Sequence, residues 1–350
     1  MGSESPLRAA VIGCGRIGSL YDAERTDPSD DPWSHAGAYT GHPETTLVAG
    51  VDPVPQRREQ FTARWGVPAY ATVTEMLAHV RPALWSICTT ADGRLEVVRA
   101  ALSAGAHAIW CEKPLAATLA EAAKLVAACE EVGVPLLVNH SRRFDPFHQE
   151  LAQRVQAGEW GRIERIVIHY VRGIANYGSH AVDAIRFLLA DDIAWLSARD
   201  ELREPEEDPS LTVSGETVGG VPFQLLPVRR TWYDSLEIDV WGSAGRVTVT
   251  HLGREVRQYR VGPSPHWDEA AVLLETPGRF LPGMDGVMRN AVSNLVAHLE
   301  GGQPLLSSGR DGLASVAAIW AAKQSAQRHG QQIDVPSLTI EAWEVVGQSP

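Results

Sequence analysis

The run Val11-Ile12-Gly13-Cys14-Gly15-Arg16-Ile17-Gly18 constrains this chain more than any other stretch. It follows an apolar run, Leu7 to Ile12, that reads as a strand, so three glycines fall where a strand turns into a helix. In that place each glycine has its own role. Gly13 permits the tight turn, Gly15 lets a pyrophosphate approach the backbone, and Gly18 lets helix and strand pack closely. The helix N-terminus, at Arg16 and Ile17, is then aimed at negative charge. Without the flanking strand and helix the same letters would describe an ordinary glycine-rich turn.

The rest of the first part agrees with that context. Apolar runs at Leu47 to Asp52, Leu84 to Thr89, Ala108 to Cys111 and Leu136 to Asn139 alternate with helical spacing over Pro55 to Trp65, Val73 to His79, Leu95 to Ala104 and Leu119 to Val132. Strands alternating with helices predict a doubly wound, mainly parallel α/β sheet. After about residue 140 the pattern changes. Arg162 to Val171 and several segments between Leu211 and Val261 alternate Val, Ile, Thr, Tyr and Trp with polar residues, which is antiparallel chemistry. Helices are predicted at Gln149 to Gln156, His180 to Leu189, Val287 to Glu300 and Gly312 to His329. Two domains follow, a dinucleotide-binding unit over 1–140 and an α+β unit over 141–350, with the last helices free to pack back on the first. The acidic, Pro-bearing stretch Asp200 to Pro209 reads as a solvated loop.

Composition narrows the function classes. With 31 basic and 43 acidic residues the formal charge is −12, which argues against nucleic acid as a partner, because phosphate binding needs a basic face. Small molecules fit better. Neither a leader-like apolar segment nor a membrane-length run stands out, so a cytoplasmic chain without a membrane partner is expected. The four cysteines, Cys14, Cys88, Cys111 and Cys129, lie in apolar surroundings without zinc-like spacing, and the histidines show no ligand pattern, so no metal is expected.

Several residues at predicted strand ends are candidates for binding. Asp52 ends the second strand, where a carboxylate accepts hydrogen bonds from an adenosine ribose and repels a 2′-phosphate, favouring NAD over NADP. The alternative is an Asp capping the turn before Pro53, and Arg57 and Arg58 nearby are able to neutralise a 2′-phosphate. Asp52 stands farther from the glycines than is usual, because Tyr21 to Trp33 reads as an insertion into the first crossover. Thr89 and Thr90 end the third strand close to the expected nicotinamide and ribose. Glu112 and Lys113, in Trp110-Cys111-Glu112-Lys113-Pro114, end the fourth, at the sheet edge where ligands bind in open parallel sheets.

The order and spacing of these motifs resemble the Gfo/Idh/MocA oxidoreductases, the group of glucose-fructose oxidoreductase and inositol dehydrogenase. The resemblance covers GxGxxG, Glu112-Lys113-Pro114, Asn139 with Arg142 and Arg143, His180-Ala181-Val182-Asp183, and the closing Gln332 to Pro336. It implies that Lys113 lies beside the nicotinamide and hydrogen-bonds the reacting oxygen, and that the Lys113-Pro114 bond is cis. It also implies that His180 exchanges the alcohol proton, which its intrinsic pKa suits. Where inositol dehydrogenase-like members carry Asp four residues before this histidine, Asn176 stands here. An amide orients a hydroxyl but takes no proton, so Asn176 is read as substrate-positioning. Asp183 either orients His180 or makes a buried structural bond. Arg143 either binds an anionic group of the substrate or pairs with an acid across the domain boundary. Tyr170, with Arg172, Trp232 and Tyr233, either lines a sugar-binding face or fills a core.

The expected function is hydride transfer between NAD(H) and a secondary alcohol or ketone of a sugar, sugar derivative or cyclitol, by a homodimer or homotetramer. Two alternatives are an NAD-retaining lyase or glycosidase that oxidises its substrate transiently, which would turn over without net change in NADH absorbance, and a dinucleotide-binding sensor without turnover.

Overall fold

The computed structural model describes residues 5–24, 31–203, 207–277 and 283–335. Residues 25–30 of the segment read as an insertion, and Pro336 of the closing motif, lie outside the described residues. The described residues divide into two compact units, one within 5–144 with 286–313, the other within 145–285 with 314–335.

The first unit is built on six parallel strands: β1 (Leu7–Ile12), β2 (Thr45–Val51), β3 (Ala69–Tyr70), β4 (Leu84–Ile87), β5 (Ala108–Cys111) and β6 (Leu136–Val138), in the order β3-β2-β1-β4-β5-β6. Both β4 and β5 are buried along their whole length, which is why they read as mainly apolar runs, broken only by Ser86, rather than as alternating ones. The strand order reverses between β1 and β4, the switch point at which a crevice opens beyond the carboxyl ends. Register fixes what stands at that edge. Ile12 pairs with Ile87 and Ile87 with Cys111, so Gly13, Cys88 and Glu112 are the first residues past three adjacent, flush strand ends.

Helices predicted over Pro55–Trp65 and Val73–His79 are found with those limits, and those predicted over Leu95 to Ala104 and Leu119 to Val132 lie at Arg94–Ser103 and Leu119–Glu131. The second of these is capped by Thr118, whose hydroxyl accepts the Glu121 N–H at 3.2 Å. Elements without a counterpart in the sequence reading include the short edge strand β3, a helix over His35–Thr40, and the strands Ile193–Arg199 and Ala271–Thr276 of the second unit. The helix follows the inserted segment, whose irregular composition hides the start. Its N-cap, Ser34, accepts the Gly37 N–H at 3.1 Å. Asp22 in turn accepts the backbone N–H groups of Trp33 at 2.7 Å and Ser34 at 3.1 Å, as well as the Ser34 hydroxyl. One buried carboxylate therefore ties the outgoing limb of the insertion to the returning one.

Among the described residues the second unit carries nine strands: β7 (Ile163–Tyr170), β8 (Ile193–Arg199), β9 (Thr212–Thr217), β10 (Pro222–Pro227), β11 (Leu236–Gly242), β12 (Gly245–Thr250), β13 (Glu255–Pro263), β14 (Ala271–Thr276) and β15 (Ile333–Asp334). They lie in the order β14-β13-β12-β11-β7-β10-β9-β8-β15, antiparallel at every neighbour except β7 with β10. Helices over Pro146–Gln156 and Gly178–Leu189 contribute Phe147, Leu151, Val155, Ala181, Ile185 and Leu188 to a core shared with Ile166, Ile168, Tyr170, Phe223, Leu225 and Val240 of the sheet. The architecture is the predicted one, a doubly wound parallel sheet followed by a mainly antiparallel sheet backed by helices. Among the described residues no helix is long and apolar enough to cross a membrane, and no cluster of three His, Cys, Asp or Glu side chains suits a metal.

Candidate active site

At the flush edge of β1, β4 and β5 the glycine turn has the geometry its motif requires. Gly13 adopts φ +99°, and a Cβ there would stand 2.8 Å from the Cys88 carbonyl carbon, so neither the conformation nor the space admits a side chain. A Cβ on Gly18 would meet the Gly13 carbonyl oxygen at 2.0 Å, which is the close helix–strand packing in physical form. Gly15 differs: its φ is −72° and a Cβ would meet nothing within 4 Å. Open space there, beside the partnerless N–H groups that begin a helix, fits the pyrophosphate of a dinucleotide. The first turn, Arg16–Leu20, is wound as a π-helix before the chain tightens into Tyr21–Glu24. Arg16 points outward, pairing with Glu24 at 2.9 Å, and Ile17 packs partly buried against the core of the first unit.

Asp52 is 2% exposed, and both its oxygens are engaged: Oδ2 accepts the Cys14 N–H and Oδ1 the Val54 N–H, each at 2.9 Å. The turn-capping role is therefore present, with the carboxylate set directly behind the glycine turn. Arg58 donates to the carbonyls of Asp52 and Pro53, at 2.8 and 2.9 Å, and the exposed Arg57 stands 3.6 Å from the Asp52 carboxylate.

Glu112 and Lys113 follow β5, and the Lys113-Pro114 bond is cis. Glu112 is buried within a network that sequence reading did not reveal. His35 Nε2 lies 3.1 Å from Glu112 Oε1, which also accepts from Asn139 Nδ2, and Glu112 Oε2 accepts the Lys113 N–H at 3.2 Å. His35 Nδ1 contacts the Ser86 hydroxyl at 2.8 Å, and the Ser86 and Tyr39 hydroxyls share a hydrogen bond at 3.0 Å. Burial alone would push the Glu112 carboxyl up, but His35, Lys113 and Asn139 outweigh it and hold it below the usual value. Burial pushes His35 down, keeping it neutral near pH 7. Arg94 is buried nearby, and its guanidinium donates to the Thr89 carbonyl at 2.6 Å and to the carbonyls of Glu112 and Pro114. Lys113 itself is half-buried, Thr89 likewise, and Thr90 is exposed. The cysteines take no part. Burial raises Cys14 and Cys129 to about 12 and Cys111 to about 11, leaving protonated thiols.

In the second unit His180 lies in the first turn of Gly178–Leu189, half-buried, with the Tyr177 ring edge-on at 6.1 Å. Asn176 is exposed, in the π-turn Gly173–Tyr177 just before that helix. Asp208 holds this turn by accepting the N–H groups of Ala175 and Asn176 at about 3 Å, and Ser210 accepts that of Gly173 at 3.0 Å. The acidic stretch predicted as a solvated loop is thus, at its described end, an anchor for the residues beside His180.

Two expected binding residues are otherwise employed. Tyr170 is fully buried and its hydroxyl both donates to the Leu211 carbonyl and accepts the Leu211 N–H, each at 2.7 Å, so its ring belongs to the core and not to a substrate face. The parity of Ile166, Ile168 and Tyr170 on β7 was the available signal. Arg143 is buried, pairs with Asp311 at 3.1 Å and donates to the Leu306 carbonyl at 3.1 Å. Its guanidinium is committed within the first unit rather than offered to an anionic substrate. Asp183 is buried in its helix at 2% exposure. Trp232 and Tyr233 are exposed, at 70% and 56%.

A glycine turn at the switch point of a parallel sheet, with a lysine at the next strand ends but one, defines a dinucleotide-binding oxidoreductase. The family described as an oxidoreductase family with an NAD-binding Rossmann fold matches residues 7–140. Myo-inositol dehydrogenase Hyg17 of Streptomyces leeuwenhoekii is 35% identical over 78% of this chain and 79% of its own length, and D-apiose dehydrogenase of Paraburkholderia graminis is 26% identical over 98% and 93%. Among solved structures, the WlbA dehydrogenase of Bordetella pertussis in complex with NADH and UDP-GlcNAcA superposes with a TM-score of 0.77 at 20% identity, covering 95% of this chain and 99% of that one. The chain belongs to the Gfo/Idh/MocA family of oxidoreductases.

Proposed function

We propose that this oxidoreductase moves a hydride between NAD(H) and a secondary alcohol or ketone carbon of a sugar, sugar derivative or cyclitol. The observation that carries the reading is the flush edge of β1, β4 and β5, where the glycine turn, Thr89–Thr90 and Glu112–Lys113 stand on neighbouring strand ends. The names of the relatives, dehydrogenases of apiose and of myo-inositol, support the substrate class.

Gly13, Gly15 and Gly18, with the N–H groups of Arg16 and Ile17, would hold the pyrophosphate, and Thr89 and Thr90 the nicotinamide side. When bound, the nicotinamide supplies the carbon that accepts or returns the hydride. The Lys113 ammonium donates a hydrogen bond to the reacting oxygen and stabilises the charge that develops on it. An imidazole nitrogen of His180 takes the hydroxyl proton as the C–H bond gives up its hydride, and returns it in the reduction direction. Asn176 orients a neighbouring hydroxyl. Asp183 and Asp208 support the helix and turn that present these groups. NAD is preferred over NADP because the Asp52 carboxylate lies behind the glycine turn, while Arg57 and Arg58 are drawn onto Asp52 and its neighbouring carbonyls. A homodimer or homotetramer is the working form, supported by exposed Trp241, Val261 and Leu274 on the second sheet.

The test is a screen of inositols, hexoses, branched pentoses and amino sugars with NAD and NADP, read by cofactor absorbance and repeated with Lys113→Ala and His180→Ala. Turnover that falls at least a hundredfold in both variants is expected. No turnover with any polyol, turnover without change in NADH absorbance, or variants within a few-fold of wild type would each overturn the reading.

A further inference from the structure

We infer that Arg94 is a positioning residue of the reaction, one buried guanidinium that ties the loop after β4 to the turn carrying Lys113. The inference rests on the reading of Lys113 as the group that meets the reacting oxygen. Arg94 opens the helix Arg94–Ser103 and is 2% exposed. Its Nη2 donates to the Thr89 carbonyl at 2.6 Å, and its Nη1 donates to the carbonyls of Glu112 and Pro114 and reaches that of Leu115 at 3.5 Å. None of these acceptors is a carboxylate, and Arg94 Nε has no partner.

A buried ion without a directly bonded counter-ion bears a desolvation penalty of several kcal/mol. Bridging two loops through their carbonyls needs only N–H donors, which a neutral amide also has. What a neutral side chain lacks is a permanent positive charge and a rigid fork wide enough to serve both loops together. The turn is gripped from two directions: Arg94 holds the main chain on either side of Lys113, while His35 and Asn139 hold the Glu112 carboxylate, which in turn accepts the Lys113 N–H. Lys113 thus sits on a backbone fixed at the residue before it and the residue after it. Such fixing matters because a displacement of about 1 Å at a reacting group costs about a hundredfold in rate.

The chain has three lysines, Lys113, Lys124 and Lys323, so lysine labelled with 13C and 15N gives a spectrum in which Lys113 is followed by itself. The experiment compares wild type with Arg94→Gln and Arg94→Lys, measuring the Lys113 side-chain resonance, NADH affinity by fluorescence, thermal midpoint and turnover. In Arg94→Gln the Lys113 resonance should shift and broaden with those of Lys124 and Lys323 unchanged, kcat should fall about 10- to 100-fold, and substrate KM should stay within threefold. In Arg94→Lys, which keeps the charge and loses the fork, the Lys113 resonance should also shift and kcat should fall at least fivefold. A lowered thermal midpoint with unchanged kcat and an unchanged Lys113 resonance in either folded variant would make Arg94 merely structural and overturn the inference. Full turnover in Arg94→Lys would overturn the two-loop clamp. The Lys113 resonance is read without substrate, so failure of the dehydrogenase reading, seen as Lys113→Ala retaining turnover, is told apart from failure of this one.

Discussion

Replacing Gly15 by Ala separates the fold from the ligand more cleanly than any other change in the glycine turn. At φ −72° alanine is unstrained, and its methyl would meet no protein atom within 4 Å. Two small effects on stability then oppose each other. Restricting the unfolded chain stabilises by about 0.4–1 kcal/mol, and placing Ala at the N-cap of Arg16–Leu20 costs a similar amount, so the net change should stay within about 1 kcal/mol. Ligand binding responds differently. A methyl standing in the open space would push a pyrophosphate away from the first-turn N–H groups, and each charge-assisted hydrogen bond lost costs about 1.5–3 kcal/mol. Loss of one such bond weakens NADH binding by about 10- to 150-fold. Gly13→Ala is the contrasting control: a left-handed φ and a 2.8 Å approach to the Cys88 backbone predict a loss of about 3 kcal/mol or more. Thermal melts and NADH titration by fluorescence read both quantities in one preparation. If Gly15→Ala binds NADH like wild type, or melts as early as Gly13→Ala, the placement of the pyrophosphate at Gly15 is wrong.

Asp208→Ala should leave the N–H groups of Ala175 and Asn176 without their acceptor, lowering stability by about 1–3 kcal/mol and kcat at least tenfold; unchanged kinetics would detach the turn from the reaction. Tyr170→Phe should cost about 1–3 kcal/mol by denaturant unfolding and leave substrate KM unchanged, and a raised KM would return Tyr170 to the substrate face. Stability should fall on acidification in two stages. His35 has a folded pKa below 6.5, so the unfolded chain gains the extra proton first and stability declines from about pH 6.5 downward, by at most about 1.4 kcal/mol per pH unit. Glu112 has a folded pKa below 4.5, so its contribution is present above that value and is lost below it. His35→Gln should flatten the upper stage, with His42, also held down by burial, supplying the remainder; thermal midpoints that rise between pH 7 and 5 would contradict the assignment.

Periodicity and glycine placement made most of the fold legible. Leu7–Ile12, Pro55–Trp65, Val73–His79 and Ala108–Cys111 were read to the residue, because buried parallel strands and capped amphipathic helices carry their limits locally. Lys113 and His180 were singled out through motif order. Arg94, His35 and Asp208 were not, because each works through partners whose distance along the chain follows no period: Arg94 reaches residues 18 and 20 positions on, His35 one 77 away, Asp208 one 32 back. Arg143 misled for the same reason, its acid being Asp311. Tyr170 is a different case, since strand parity with Ile166 and Ile168 already assigned it to the inner face.

The stitch that Asp22 makes to Trp33 and Ser34 has a consequence for how such enzymes diversify. Ser34 starts the helix that delivers His35 to Glu112, so the stitch, rather than the chain beyond it, determines where that helix begins. Segments of other lengths and compositions can be spliced in past the knot while the apparatus behind it keeps its place, so the first crossover tolerates variation that a helix start set by its own sequence would not.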